Sequence, residues 1–162
     1  MTADQLVDVL IWFSADGAMI AAGLLALYVF AFVVPRDKWW YWGWRIFVAG
    51  VTTYLAAKLL GYFYQPNELR PYQLMGVEPR ASYLPNPGFP SDHVLFSTFL
   101  TLAVWFSTKR REFAAAMLIL TLIVGIGRVW ALVHAPIDVL GGLLIPLIGI
   151  IWYRHTSRKS VK

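Results

Sequence analysis

The chain has 162 residues, of which 59% are hydrophobic and 14% are charged, with a net charge of +5 and no cysteine. Because soluble domains carry about 45–50% apolar and about 25% charged residues, this composition indicates one integral-membrane domain over residues 1–162. The lack of cysteine excludes disulfides, thiolate catalysis and cysteine metal sites, and basic residues that flank apolar segments indicate membrane topology rather than a nucleic-acid partner.

Apolar segments alternate with short polar connections along the chain. A membrane helix needs about 17–25 mainly apolar residues, and we predict five such helices. Residues 3–13 alternate acidic and apolar positions, which predicts a short helix in the membrane interface rather than a signal peptide. The predicted fold is all-α: a polytopic membrane helix bundle of about five transmembrane helices plus a short N-terminal interfacial helix. The five predicted spans cover residues 16–34, 39–64, 92–108, 112–133 and 136–153.

Basic residues are distributed unevenly between the connections of this bundle. With five spans, the connection after the first helix, the connection between the third and fourth helices, and the C-terminus all lie on one side of the membrane. Because lysine and arginine accumulate on the cytoplasmic side, we expect this side to face the cytoplasm. His155 lies among these residues, and we expect it to have no catalytic role. The basic residues on this side are Arg36, Lys38, Arg45, Lys109, Arg110, Arg111, Arg154, Arg158, Lys159 and Lys162.

The remaining charged and titratable residues of interest fall on the outer side, against the trend of the rest of the chain. Charged side chains within or close to the apolar layer of the membrane are energetically costly, and they usually serve a function. This distribution predicts a functional site on the outer face of a cell membrane. The residues that gather there are Lys58, Arg70, Arg80, Ser91, Asp92, His93, Arg128, His134 and Asp138.

A short polar cluster opens the third predicted helix. Ser91 is a good N-cap and Asp92 suits the first turn, where unpaired backbone N–H groups can bind phosphate oxygens. His93 follows at once and is placed to protonate a leaving oxygen. The alternative interpretation is a capped helix with an interfacial histidine and no chemistry.

A second cluster lies between the fourth and fifth predicted helices. Pro136 disfavours helix at the preceding residue and starts the fifth helix, so His134 is expected in a tight loop with Asp138 in the next turn. A carboxylate there can hold one imidazole nitrogen and leave the other free to attack. Arg128 can clamp a phosphate through its planar guanidinium. The alternatives are a helix-start charge for Asp138 and a snorkelling side chain for Arg128.

Three further cations precede these clusters. Lys58 lies inside the outer end of the second predicted helix, from which its long side chain can reach a phosphate or only the interface. Arg70 lies in the outer connection, where an arginine is not needed for topology. Arg80, in the same connection, is either an additional cation for the second phosphate of a diphosphate or a loop residue without a role.

Together these residues resemble the three motifs of the type 2 phosphatidic acid phosphatase superfamily. Those motifs are a lysine followed by Arg-Pro, then Pro-Ser-Gly-His, then Ser-Arg with a histidine and an aspartate at fixed spacing. Here Lys58 and Arg70 match the first, with a longer gap than usual, and residues 90–93 match the second, with Asp92 for glycine. The third is matched by residues 127–138, with Gly127 for serine.

The form of the second motif, residues 89–93, is most similar to the bacterial undecaprenyl-diphosphate phosphatases of that superfamily. The resemblance implies that His134 is a nucleophile that forms a phosphohistidine, that Asp138 orients it, and that His93 is the general acid. Asp92 would lie beside the acid without an assigned role. The resemblance implies no metal and no cofactor, because the lysine and arginine side chains of the motifs supply the positive charge. The residues that would hold the phosphoryl oxygens are Lys58, Arg70, Ser91 and Arg128.

The resemblance leaves other activities open. The substrate can be undecaprenyl diphosphate, phosphatidate, phosphatidylglycerol phosphate or another lipid phosphate. A phosphotransferase would use the same histidine and pass the phosphoryl group to an acceptor. A non-enzymatic membrane scaffold would not need both His134 and Asp138. The related haloperoxidases are soluble, which this chain is not.

Overall fold

The computed structural model describes residues 2–66, 68–85 and 88–154, and within those ranges it contains helices and no strand. This confirms the all-α fold predicted from the sequence. Short 3-10 or π-helical segments join several of the α-helices, so that some of them run on as longer continuous helices. The α-helices are α1 (Ala3–Trp12), α2 (Ala18–Tyr28), α3 (Trp39–Phe63), α4 (Pro71–Met75), α5 (Asp92–Thr108), α6 (Arg111–Trp130), α7 (Pro136–Leu144) and α8 (Ile150–Arg154).

Long apolar helices dominate the described part of the chain. Four continuous helices there are long and apolar enough to cross a membrane: Ala3–Val33, Arg36–Phe63, Arg111–Trp130 and Pro136–Arg154. The third predicted span is α5, which has 17 residues and lies at the lower end of the length that a membrane requires. The observed bundle therefore agrees with the prediction of about five spans.

The N-terminal region differs in detail from its prediction. The predicted interfacial helix and the first span form one continuous helix, Ala3–Val33, because a π-helical turn at Phe13–Gly17 joins α1 to α2. In a π turn each N–H reaches one residue further back along the chain, so an extra residue is accommodated while the backbone stays hydrogen-bonded. Such turns also occur often at functional sites, and this one contains Asp16.

The last span also departs from a regular α-helix. It changes to a 3-10 helix at Ile145–Gly149, between α7 and α8. Pro146 lies in this segment, and proline has no N–H to donate and clashes with the preceding turn of an α-helix. A Cβ on Gly149 would lie 3.3 Å from the Cβ of Ala49, so this segment packs closely on α3.

The surface and the interior of the bundle have the composition that a lipid environment requires. Large apolar side chains such as Phe32, Phe63 and Ile126 are exposed on the outside. Small residues such as Ala18 and Ala49 are buried between the helices, where they allow the backbones to approach closely.

One end of the bundle carries basic side chains. Arg45 on α3 donates a hydrogen bond to the carbonyl of Trp152 on α8. Lys109 lies 4.0 Å from the ring centroid of Phe106, and that ring stacks on Tyr153 at 5.0 Å. The start of α3, the end of α5 and α8 therefore meet at this end. Of the C-terminal residues predicted to share this side, His155, Arg158, Lys159 and Lys162 lie outside the described residues.

The connections with the predicted site residues meet at the other end. The side chain of Gln65 donates a hydrogen bond of 3.2 Å to the carbonyl of Phe89. The N–H of Tyr72 donates one of 3.0 Å to the carbonyl of Leu132. Leu132 has φ of 61°, a left-handed conformation that turns the chain sharply between α6 and α7.

Two consecutive glycines in α7 bring this helix against the start of α5. A Cβ on Gly141 would lie 2.4 Å from a ring carbon of Phe89. A Cβ on Gly142 would lie 2.8 Å from the Cβ of Val94 and 2.9 Å from the carbonyl oxygen of Ser91. Only a residue without a side chain fits at either position, so this contact sets the distance between the two predicted motifs.

Substitution of Gly142 by alanine is expected to lower the melting temperature of the detergent-purified protein. The added Cβ meets atoms that cannot easily move, and overpacking of this kind costs about 1–3 kcal/mol. Gly23→Ala is the matched control, because nothing lies within 4 Å of a Cβ there. Alanine favours a helix over glycine by about 1 kcal/mol, so the control should melt at the same or a higher temperature. Equal melting temperatures for the two variants would contradict the close packing.

Candidate functional site

A histidine and a carboxylate lie together in the loop between α6 and α7 and in the first turn of α7. The Nδ1 atom of His134 lies 3.3 Å from Oδ2 of Asp138, and both residues are buried. The same Oδ2 accepts a hydrogen bond of 2.9 Å from the N–H of Ala135. Because a carboxylate accepts and does not donate, Nδ1 carries the hydrogen, and the lone pair of the neutral ring is on Nε2.

The surroundings of His134 favour this neutral form. Burial lowers the pKa of the His134 imidazole below its ordinary value of 6.5, and the positive charges of Arg128 and Arg70 lower it further. The hydrogen bond to Asp138 raises the pKa without reversing the net effect. A neutral imidazole with a lone pair on Nε2 is the nucleophilic form of histidine.

Arg70 lies against the backbone just before this histidine. Its Nη1 donates a hydrogen bond of 2.6 Å to the carbonyl of Val133, and its Nη2 donates one of 3.1 Å to the carbonyl of Leu84. The side chain is buried, which is unusual for a charged residue. These bonds fix a positive charge beside His134 and also hold the outer connection on the bundle.

Ser91 connects the second motif to the third. Its N–H donates a hydrogen bond of 3.0 Å to the backbone carbonyl of Asp138. Ser91 occupies the N-cap position of α5, yet its hydroxyl makes no capping bond. This buried hydroxyl and the Nε of Arg128 are two of six buried side-chain atoms in the described residues that have no hydrogen-bond partner. Unsatisfied buried donors are costly, and an anionic ligand would satisfy both.

One residue of this cluster, Asp16, is not among the residues predicted from the sequence. Its Oδ1 lies 2.8 Å from Nη1 of Arg128 and 3.4 Å from Nε2 of His93. Ser82 donates two hydrogen bonds of 2.9 Å to the same carboxylate, one from its N–H and one from its hydroxyl. Asp16 therefore joins Arg128 to His93, two predicted site residues on different helices.

The sequence did contain a signal for Asp16. A carboxylate at the boundary of a long apolar segment is a candidate functional residue, by the same argument that applied to the outer cations. Asp16 is also the first residue of a predicted span, a position where an acidic residue is ordinary. The partners that distinguish it from a helix-start charge, Arg128 and His93, lie far away in the sequence.

The remaining predicted cations are paired at the surface. Lys58 lies 3.2 Å from Oδ1 of Asp92, and both side chains are partly exposed. Arg80 lies 2.6 Å from Asp8 on α1, in an exposed ion pair. The structure thus places Lys58 next to the second motif through Asp92, while Arg80 is held at the N-terminal helix.

A cleft with a volume of about 600 Å³ leads into this region from the outer connections. Arg70 and Asp138 line it, together with Gly88, whose Cβ would lie 3.3 Å from Oδ2 of Asp138. Arg70 and the carboxylate partner of His134 therefore border an open cleft, and Arg128, His93, His134 and Ser91 lie in the same cluster through the contacts described above. Such a set of donors binds an anion, and planar guanidinium groups suit phosphate. No group of three or more acidic or histidine side chains that could share a metal ion occurs in residues 2–66, 68–85 and 88–154.

Comparison with known proteins agrees with the motifs. The family model described as PAP2 superfamily matches residues 42–162. The chain is 29% identical to undecaprenyl-diphosphatase BcrC of Bacillus subtilis (strain 168) over 160 residues, which cover 95% of this chain and 77% of that protein. No solved structure matches the chain. The resemblance inferred from the motifs is confirmed.

The surroundings of His134 predict that two substitutions shift the pKa of its imidazole in opposite directions. Asp138→Asn should lower the pKa of His134 further, because the carboxylate that favours the protonated ring is lost. Arg70→Gln should raise it, because a positive charge that opposes protonation is lost. The measurement is an NMR pH titration of the histidine rings, assigned with single histidine variants, with Arg80→Gln as a control expected to cause no change. A shift of His134 in the same direction in both variants would contradict this description of the site.

Proposed function

The chain belongs to the PAP2 superfamily, and we propose that it hydrolyses a lipid diphosphate in the cell membrane through a phosphohistidine intermediate. The preferred substrate would be undecaprenyl diphosphate, which would be converted to undecaprenyl phosphate. The observation that carries this proposal is the buried His134–Asp138 pair beside two buried arginines. The similarity to undecaprenyl-diphosphatase BcrC supports the choice of substrate.

The first step would transfer the phosphoryl group to the enzyme. The lone pair on Nε2 of His134 attacks the terminal phosphorus, a P–N bond forms, and the P–O bond to the lipid phosphate breaks. Asp138 holds Nδ1–H and stabilises the positive charge that the ring acquires. Protonated His93 gives its proton to the leaving oxygen.

The second step would return the enzyme to its starting state. His93, now neutral, accepts a proton from a water molecule, whose oxygen attacks the phosphorus. The P–N bond breaks, inorganic phosphate leaves, and the lone pair returns to Nε2 of His134. The same histidine acts as acid in one step and as base in the next, so protons balance over the cycle.

Positive charge and hydrogen-bond donors would stabilise both transition states. Arg128 and Arg70 neutralise charge on the phosphoryl oxygens, and the Ser91 hydroxyl donates to one of them. These donors are fixed by the protein before the substrate binds, which is the most effective way to stabilise developing charge. Lys58, at the exposed edge beside Asp92, would serve the second phosphate of a diphosphate. In this proposal the cations take the part that Mg²⁺ plays in many phosphoryl-transfer enzymes.

We expect phosphate release from farnesyl or undecaprenyl diphosphate with a higher kcat/KM than from phosphatidate. The purified protein would be assayed in detergent with EDTA present, and EDTA should not inhibit. His134→Ala should release no phosphate, because it lacks the nucleophile, while it should still purify in detergent as a folded protein.

Other outcomes of the same assay would change the proposal. A preference for phosphatidate or phosphatidylglycerol phosphate by tenfold or more, about 1.4 kcal/mol in transition-state binding, would make those lipids the substrates. Consumption of the diphosphate only when an acceptor is added would indicate a phosphotransferase. Full activity of His134→Ala would refute the phosphohistidine intermediate, and activity lost in EDTA and restored by Mg²⁺ would indicate a metal site.

The distribution of basic residues supports a proposal for the side of the membrane on which the site lies. The site and the basic end lie at opposite ends of the bundle, and basic residues accumulate on the cytoplasmic side of membrane proteins. We therefore propose that the cleft opens at the outer face of the membrane.

Cysteine labelling in intact cells tests this orientation, because the chain has no cysteine of its own. Glu78→Cys in the outer connection should react with a membrane-impermeant thiol reagent. Asp37→Cys at the basic end should react only after the cells are lysed. Both positions are exposed, and both changes remove one acidic residue, so they form a matched pair. The reverse pattern would place the site inside the cell.

A further inference from the structure

The π turn in the N-terminal helix brings a carboxylate into the site from outside the part of the chain that matches the family. That match covers residues 42–162, and Asp16 precedes it. Asp16 is nevertheless buried, with 8% of its surface exposed. The turn at Phe13–Gly17 directs its side chain towards α5 and α6, where its contacts are Arg128 and His93.

Arg128, His93 and Ser82 surround this carboxylate. Arg128 approaches Oδ1 at 2.8 Å, and Nε2 of His93 lies 3.4 Å from the same atom. The backbone N–H of Ser82 binds Oδ2, and its hydroxyl binds Oδ1. The three hydrogen bonds from Arg128 and Ser82 prevent easy rotation of the carboxylate, so it holds the arginine and presents a fixed oxygen to the histidine ring.

The contact between α6 and the π turn depends on the glycine that replaces serine in the third motif. A Cβ on Gly127 would lie 2.4 Å from the carbonyl carbon of Ser14 and 2.5 Å from the backbone nitrogen of Ala15. Backbone atoms cannot move aside as the end of a flexible side chain can. Any side chain at position 127 would therefore push the π turn, and Asp16 with it, away from Arg128.

We propose that Asp16 is a positioning residue of the phosphate site, and that position 127 is glycine so that the π turn can carry Asp16 there. This inference rests on the proposed function, because His93 and Arg128 are the groups that Asp16 acts through. The site then contains two carboxylate–histidine pairs, Asp138 with the nucleophile and Asp16 with the acid and base. Asp16 also compensates the charge of Arg128, which is fully buried and would be costly without a counterion.

A positioning role predicts different effects on phosphate binding and on turnover, which a general loss of structure would not produce. The negative charge of Asp16 partly neutralises the guanidinium of Arg128 and repels phosphate, so loss of this charge should leave phosphate binding as tight as before or tighter. Its removal also releases the ring of His93, so turnover should fall. A merely structural residue would instead weaken binding and turnover together.

The test compares Asp16→Asn with Asp8→Asn. Both residues are aspartates of the same N-terminal helix paired with an arginine, but Asp8 pairs with Arg80 at the exposed surface. We expect Asp16→Asn to reduce kcat by about tenfold, which is part of the factor of about 10²–10⁴ that acid–base catalysis contributes as a whole. Binding of inorganic phosphate, measured by calorimetry in detergent, should not weaken. Asp8→Asn should change neither quantity by more than about twofold, as usual for an exposed ion pair.

Gly127→Ala provides a second variant for the same proposal. It should also reduce kcat, and adding Asp16→Asn to it should cause little further loss, because the carboxylate is already displaced. Gly23→Ala, with nothing within 4 Å of the added Cβ, should retain full activity. If the reduction of kcat in the double variant equalled the product of the two single reductions, positions 16 and 127 would act independently, and the proposed link between them would be overturned.

The remaining outcomes separate this inference from the proposed function. The positioning role would be overturned if kcat of Asp16→Asn stayed within twofold of the unaltered protein. It would also be overturned if kcat and phosphate affinity fell together. Turnover is measured on lipid diphosphate and on nitrophenyl phosphate. Hydrolysis of the nitrophenyl ester alone by the unaltered protein would refute the proposed substrate, while the variants would still decide the role of Asp16 on that ester.

Discussion

The ion pair between Arg128 and Asp16 is the interaction on which the site most depends. A guanidinium with 1% of its surface exposed lies at the end of a membrane-type helix, where an uncompensated charge would be strongly unfavourable. Asp16 supplies the counter-charge through a 2.8 Å contact that joins residues 112 positions apart. The pair therefore holds the N-terminal helix against α6 and places a cation where phosphate would bind.

Close contacts between helices make this arrangement possible. Gly127 lets the π turn touch α6, and Gly141 and Gly142 let α7 touch the residues that precede α5. In lipid, where apolar burial between helices contributes little, such backbone contacts and polar pairs carry much of the association. The same contacts align Ser91 with the backbone of Asp138. Helix packing and the geometry of the site are therefore determined by the same few residues.

The sequence predicted the parts of the fold and site that depend on local patterns. The apolar lengths gave the helices, with α5 at residues 92–108 as predicted, and Pro136 placed His134 in a loop with Asp138 in the next turn. Asp16 was not predicted, because its role depends on contacts with α5 and α6 and on a π turn that no local pattern indicates. Periodicity also separated Ala3–Val33 into two helices, because a π turn interrupts the apolar pattern without ending the helix.

The two histidines differ in how their carboxylates are supplied, and this difference bears on their chemistry. Asp138 lies four residues after His134, in the first turn of α7, so the proposed nucleophile and its partner form one local unit. Asp16 reaches His93 from another helix and shares its Oδ1 with Arg128. Phosphate that binds to the free Nε of Arg128 would share this guanidinium with the carboxylate that contacts His93. Substrate binding and the acid–base group would be coupled through one oxygen atom, whereas the nucleophile would keep its own partner throughout the reaction.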